Sequence, residues 1–381
     1  MRSAVLAAAC ALRRAASAER VLLRDCALTL LAIYVVHVIV VDWLVRPFFP
    51  QLPLLTPLRP LPLSILTGWD GAWYKQLFEH YDRYTWPPLY PLTLRAVAFV
   101  FGFREMAFEK ASLLVNVVSH AGVVVGVMLY LRSSGIRTAG AWLLPFVLLF
   151  YPGHNTFFAS YAESLFLAVT VFAFVLWRCE RYLPAAVLAG VASLIRYMGF
   201  FLCLALVLEQ LLRSLLDRRL HVRGLAAAGL SCLFFGFWNL YIYAVGSTDA
   251  VQGNSQWVTD LVQHHVTPGM DPRLWTFRYI VLPGHKEWIY FWASIVVAAY
   301  CLWRRLYLEA FYILLFDASL AFYTYRPFSW SRWASVLFPW ALLITDLVRR
   351  RPQLQVALAV CFLAISFHYQ IMLFLPAMGE P

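Results

Sequence analysis

Apolar residues fall in long unbroken runs along this chain, each cut short by a polar or basic segment. Strict alternation of apolar and polar positions is nowhere sustained. Runs of that kind predict membrane-buried helices rather than half-buried strands. They place spans near 26–45, 112–131, 139–152, 162–177, 183–197, 199–212, 224–245, 289–303, 308–325, 333–348 and 354–375. A helix rises 1.5 Å per residue, so roughly 20 residues cross a hydrocarbon core of about 30 Å. Several runs are shorter than that, and their boundaries hold to a few residues. One further run, Leu89–Phe103, is short, carries Arg95 and follows the proline-broken stretch Trp86-Pro87-Pro88-Leu89-Tyr90-Pro91. It reads as a helix lying along the membrane surface rather than a twelfth crossing. The expected fold is therefore an all-α polytopic membrane protein. Its bundle has about 11 transmembrane helices, and a long first outer loop carries the juxtamembrane helix.

Composition sharpens this. Of 381 residues, 62% are hydrophobic and 13% charged, and the mean hydropathy is +0.69. A soluble domain is nearer half apolar and a quarter charged. A soluble enzyme, a disordered chain and a classical nucleic-acid binder are excluded, so the net charge of +11 needs a membrane explanation. Of the 31 basic residues, 18 sit in short segments: Arg2 to Arg24, Arg132/Arg137, Arg178/Arg181, Arg213/Arg218/Arg219/Arg223, Arg304/Arg305 and Arg349/Arg350/Arg351. Dense short basic loops face the cytoplasm. That puts the N-terminus inside and the C-terminus outside. Residues 1–25 read as a basic cytoplasmic N-terminus, and 26–381 as a single transmembrane domain. Two long outer loops belong to that domain, 46–111 and 246–288. A crossing at 89–103 would reverse every later basic loop, which is the second reason to lay it on the surface. Seven cysteines show no CxxC spacing and no disulfide framework, and no metal site is expected.

Candidate chemistry collects in the outer loops. In Thr67–Tyr74 (TGWDGAWY), Asp70 stands between two glycines and is flanked by Trp69 and Trp73. A carboxylate presented on such a turn suits a general base, and the tryptophans suit stacking on a sugar ring. Asp also favours a helix N-cap, a competing reading for a helix over 71–81. Glu79 and His80 could hold acceptor hydroxyls or simply end that helix in solvent. Glu163, in FFASYAESLF (157–166), sits at the outer start of a span. There it either serves the site or answers the helix dipole. Arg196, in SLIRYMGF (193–200), lies between two apolar runs. Arginine near the membrane interior is costly, and it either grips a phosphate bidentately or snorkels. Arg326 and Arg332, in YRPFSWSRWASVLF (325–338), are outer arginines against the charge bias, fit for binding anions or anchoring in headgroups. His285 and Lys286 are similar but less supported. Asp317 lies deep in a span and is left outside the site.

An outer carboxylate facing outer arginines in a many-helix bundle fits one reaction class, glycosyl transfer from a lipid-phosphate sugar. The lipid tail needs a membrane groove, the leaving phosphate needs cations and the acceptor hydroxyl needs a base. A lipid-monophosphate leaving group does not demand a metal, and no cofactor is expected beyond the donor itself.

These segments, in order, resemble the PIG-V family, the second mannosyltransferase of glycosylphosphatidylinositol (GPI) assembly, and its bacterial relatives in the GT-C superfamily. WDGAWYKQLFEHY (69–81) is similar to the family's WD…EHGY segment, and WPPLYPLTLR (86–95) to its FFPLYP-like run. SYAESLFL (160–167) matches its YSE-type segment, ASLIRYMGF (192–200) its R-S/P-x-G segment and SRWASVLFP (331–339) its late FP-like segment. The resemblance implies a GT-C fold and inverting transfer from dolichyl- or polyprenyl-phosphate mannose. It implies Trp69 and Asp70 as the essential pair, with Arg196 and Glu163 as the family's Arg and acid. It further implies a glycolipid acceptor, a bilayer setting and a small accessory membrane subunit. The active site would face the lumen of the endoplasmic reticulum or, in a bacterium, the outer side of the plasma membrane. Gly68 before WD, EHYDRY in place of EHGY and Tyr197 after the arginine depart from the pattern. A bacterial transferase acting on a cell-envelope lipid, polymer or protein is the alternative within the class. A transporter or flippase, or a non-catalytic assembly subunit, is the alternative outside it.

Overall fold

The structure, a computed structural model, describes residues 23–35, 70–80, 87–134, 143, 147–148, 160–245, 288–323, 336–348 and 351–374. Trp69, Arg326, Arg332, His285, Lys286 and nearly all of the expected span 139–152 lie outside the described residues. So do the side chains of Asp70 and Trp73.

All regular structure among the described residues is helical. In chain order the helices are α1 (23–35), α2 (Asp70–Glu79), α3 (Leu89–Val100), α4 (Ala107–Ser133), α5 (Glu163–Arg178) and α6 (Tyr182–Ile195). They continue as α7 (Gly199–Leu216), α8 (Val222–Val245), α9 (Trp288–Trp303), α10 (Tyr307–Tyr323), α11 (Pro339–Val348) and α12 (Pro352–Phe374). By length and apolarity α4, α7 and α8 are each able to cross a membrane. α3, at 12 residues, rises only about 18 Å, short of a hydrocarbon core. It buries Tyr90, Pro91, Leu94 and Ala98 and leaves Phe99, Val100 and Phe101 exposed at its end.

α4 shows how a membrane helix packs. Its buried positions include Phe108, Ser112, Val115, Ser119, Val123 and Val127, a stripe at helical spacing, while Leu113, Val117 and Val118 on the other side are exposed. Both faces are apolar, so burial here separates protein from lipid rather than apolar from polar. Without a hydrophobic difference between lipid and core, small residues decide the close contacts. α6 presents Ala185, Ala186, Ala189 and Gly190 to its neighbours. A Cβ on Gly190 would come within 2.5 Å of the Phe234 ring of α8. α4 packs on α5, α5 and α8 on α6, α7 on α6, α8 and α10, and α9 on α10, while α2 and α3 cap this bundle at one end.

The opposite end, rich in arginine, is closed by three similar arrangements. Glu309, fully buried at the start of α10, accepts from Tyr130 of α4 at 2.5 Å and from both Nε and Nη2 of Arg178 of α5, at 3.3 and 2.7 Å. Buried Glu209 of α7 takes the Trp177 indole N–H of α5 and Arg213, four residues on. Asp346 of α11 takes Tyr300 of α9 and Arg304. Each acid has one cation and one aromatic donor, which offsets the cost of removing a carboxylate from water.

Candidate functional site

The site builds from the turn between α6 and α7. α6 stops at Arg196, whose backbone is extended (φ −145°, ψ 142°). Its N–H still donates to Ala192 O, and Gly199 N–H donates back to Arg196 O. Gly199 is required here for space. A Cβ would lie 2.3 Å from the backbone of Ala192 and Ser193. The turn is pinned to α8 by two aromatic contacts on Phe235. Tyr197 meets it edge-on at 6.0 Å, and Phe200 stacks on it at 4.5 Å.

This turn delivers the Arg196 guanidinium to Glu163, the first residue of α5. Nη1 lies 2.6 Å from Oε1, and the side chains are 11% and 1% exposed. The sequence offered helix-dipole stabilisation as the simpler role for Glu163. The structure adds a specific cation to that position. Tyr312 of α10, fully buried, lies within electrostatic range of the same guanidinium, with Thr170 of α5 beside it. Next to Glu163, Ser164 meets His120 of α4 at 3.1 Å, and His120 meets Tyr34 of α1 at 2.8 Å. Five helices thus fix the floor under one buried ion pair.

α3 packs on α4 and α6, and α2 packs on α3. Residue 70 begins α2, and Tyr74 follows one turn later. The Tyr74 ring packs edge-on against Tyr90 of α3 at 4.8 Å, and the Tyr90 hydroxyl lies 3.1 Å from Ser112 of α4. Burial raises the Tyr90 hydroxyl above the ordinary tyrosine range; the Ser112 contact opposes this, and the Tyr74 and Glu163 charges add to it. Tyr90 therefore links the helix that starts at Asp70 to the Glu163–Arg196 floor. Lys75 reaches Glu109 of α4 at 2.7 Å, a bond that raises the Lys75 ammonium above its usual range. Arg95 of α3 donates to Phe78 O at 2.6 Å, satisfying one of the unpaired carbonyls at the end of α2.

Of the residues the sequence proposed, Glu163 and Arg196 are brought together. Glu79 and His80 are exposed at the far end of α2, about 14 Å along the axis from residue 70. No contact among the described residues joins them to the ion pair. Asp317 is buried, with Ser294 of α9 as its polar neighbour. Tyr74, Tyr90, Lys75, Glu109, Thr170 and Tyr312 were not singled out. Two of them, Tyr74 and Tyr90, stand inside the quoted WDGAWY and WPPLYP segments, where the tryptophans and prolines drew the reading instead. Among the described residues no group of three or more His, Cys, Asp or Glu is placed to hold a metal ion.

The arrangement of helices is similar to that of a solved structure. The chain is similar to ArnT from Cupriavidus metallidurans, solved bound to undecaprenyl phosphate, at 14% identity and a TM-score of 0.50, over 77% of this chain. It spans 57% of the length of that protein. No protein-family model and no curated protein sequence matches the chain.

Proposed function

We propose that this chain is an inverting glycosyltransferase that takes a hexose, mannose in the first instance, from a polyisoprenyl phosphate. The observation that carries the reading is the buried Arg196–Glu163 pair; Tyr90, within electrostatic range of Glu163, packs on Tyr74 of the helix that begins with Asp70. A guanidinium has five N–H donors. Glu163 engages one corner and holds the plane, and the remaining edge is fit to take two phosphate oxygens. The bound undecaprenyl phosphate of ArnT supports a lipid-phosphate donor on this fold.

In the reaction Asp70 takes the proton of the acceptor hydroxyl, whose oxygen attacks the anomeric carbon in line. The C1–O bond to phosphate breaks, and its electron pair leaves with the lipid phosphate. Arg196, helped by Arg332 or Arg326, stabilises that developing charge. Trp69 and Trp73 stack on the sugar, and Glu79 and His80 meet acceptor hydroxyls. A β-linked donor yields an α-linked product. By the distribution of arginines the site faces the lumen or periplasm. The finer assignment, from the resemblance, is addition of the second, α-1,6 mannose to a GPI precursor with a small accessory subunit.

The test is transfer of labelled mannose from dolichyl- or undecaprenyl-phosphate mannose by the purified chain in lipid nanodiscs. Asp70→Asn is expected to lower kcat by about 10²–10⁴-fold, the contribution of a positioned base. Turnover at the native rate in folded Asp70→Asn protein removes the base assignment. Complementation of a mutant lacking the second GPI mannose decides the acceptor.

A further inference from the structure

We infer that Lys75 and Glu109 are positioning residues for Asp70, acting as a strut that fixes α2 against α4; this rests on the reading of Asp70 as the base. α2 has ten residues, and helices shorter than about 12–15 residues are marginal by themselves in water. Its orientation must therefore come from contacts. Its backbone packs on α3, and long side chains carry it across to α4. Phe78 meets Phe108 edge-on at 5.6 Å, and Lys75 Nζ meets Glu109 Oε1 at 2.7 Å.

The burial is lopsided in an informative way. The Glu109 side chain is 4% exposed and that of Lys75 41%. The first turn of a helix favours an acid through the dipole, but that favour needs no burial. A desolvated carboxylate does need a cation, and among the described residues the partner of Glu109 is Lys75. The ammonium of Lys75, on a side chain that is itself well exposed, meets Glu109 directly. Glu79, one turn on in α2, also acts on Lys75, but less than Glu109 does. The competition is settled toward α4. Residue 70 lies about 7.5 Å along the axis from Lys75, so tilting or rotation of α2 at the strut moves the base with it. Arg196 stands on the α6–α7 turn, which the strut does not touch, so loss of the strut is expected to act on the base before it acts on the donor site.

The experiment compares Lys75→Met, Glu109→Gln, Lys75→Arg and the charge swap Lys75→Glu/Glu109→Lys in the full chain. Each single neutralisation is expected to lower kcat by about 10²-fold, the cost of a misplacement near 1 Å, with donor KM nearly unchanged. Lys75→Arg and the charge swap are expected to recover most of that loss. A second readout is the labelling rate of Asp70→Cys by a water-soluble maleimide, with the native cysteines as blank. It is expected to change in the Lys75→Met background and to revert in the swap. That readout stands even if the chain transfers no sugar from a lipid phosphate, so failure of the function and failure of the strut are told apart. Folded Lys75→Met protein with native kcat and native labelling overturns the strut, as does a swap no better than either single change.

Discussion

Glu163 and Arg196 were each legible alone, as charges out of place in apolar sequence. Their partnership was not, because 33 residues and a helical hairpin separate them. Joined, they change what each is for. A buried guanidinium aimed by a buried carboxylate has little freedom left to lose when a phosphate arrives, which is how binding geometry is prepaid. The same pairing makes the two residues interdependent. Removing one partner of a buried pair leaves the other charge desolvated, at a cost of about 3–5 kcal/mol, whereas replacing both is often near neutral. Glu163→Gln is therefore expected to lower the thermal midpoint in detergent sharply, and Glu163→Gln/Arg196→Gln to regain much of that loss while remaining inactive. Equal stability of single and double variants would mean that the pair carries no such coupling.

Among the described residues most helices lie where hydropathy placed them, with informative shifts at their ends; the expected span 139–152 falls outside those residues. The run 112–131 became Ala107–Ser133. Hydropathy rejects Glu109 and Lys110, but a helix backbone accepts them, and Glu109 is satisfied by a contact no local pattern encodes. The run 183–197 ended at Ile195 because Arg196 is drawn into extended backbone to reach Glu163. The helix α3 was readable from the apolar run after the prolines, although the partner of Arg95, the end of α2, was not. The α6–α7 turn is the element on which the site's geometry rests most directly. Gly199→Ala would force a Cβ into backbone at 2.3 Å, and backbone, unlike a flexible side chain, yields only by moving the whole turn. The variant is expected to fold with reduced stability and to raise donor KM together with lowering kcat, since Arg196 shifts with the turn. Kinetics and thermal unfolding identical to the native chain would show that the turn relaxes without moving Arg196.

At the scale of the whole molecule the two ends are built for different tasks. One end gathers Glu163, Arg196 and Tyr90, with α3 and α2 packed beside them. The other holds three acids, each bound by an arginine and an aromatic donor, across α4, α5, α7, α9, α10 and α11. A transporter alternates access around a site between two moving bundles, so this second end would have to part in every cycle and desolvated ion pairs would have to break and reform. A transferase needs opening at the site end alone. The difference is measurable. Arg178→Cys/Glu309→Cys protein, closed by a short bifunctional thiol reagent, is expected to keep at least about half of the transfer rate of its unlinked form, because α5 and α10 need not separate at this end during a reaction that binds and releases its substrates at the other. If linking abolishes turnover while the protein stays folded, and reduction of a cleavable linker restores it, the arginine-rich end moves in the cycle and the bundle works by alternating access.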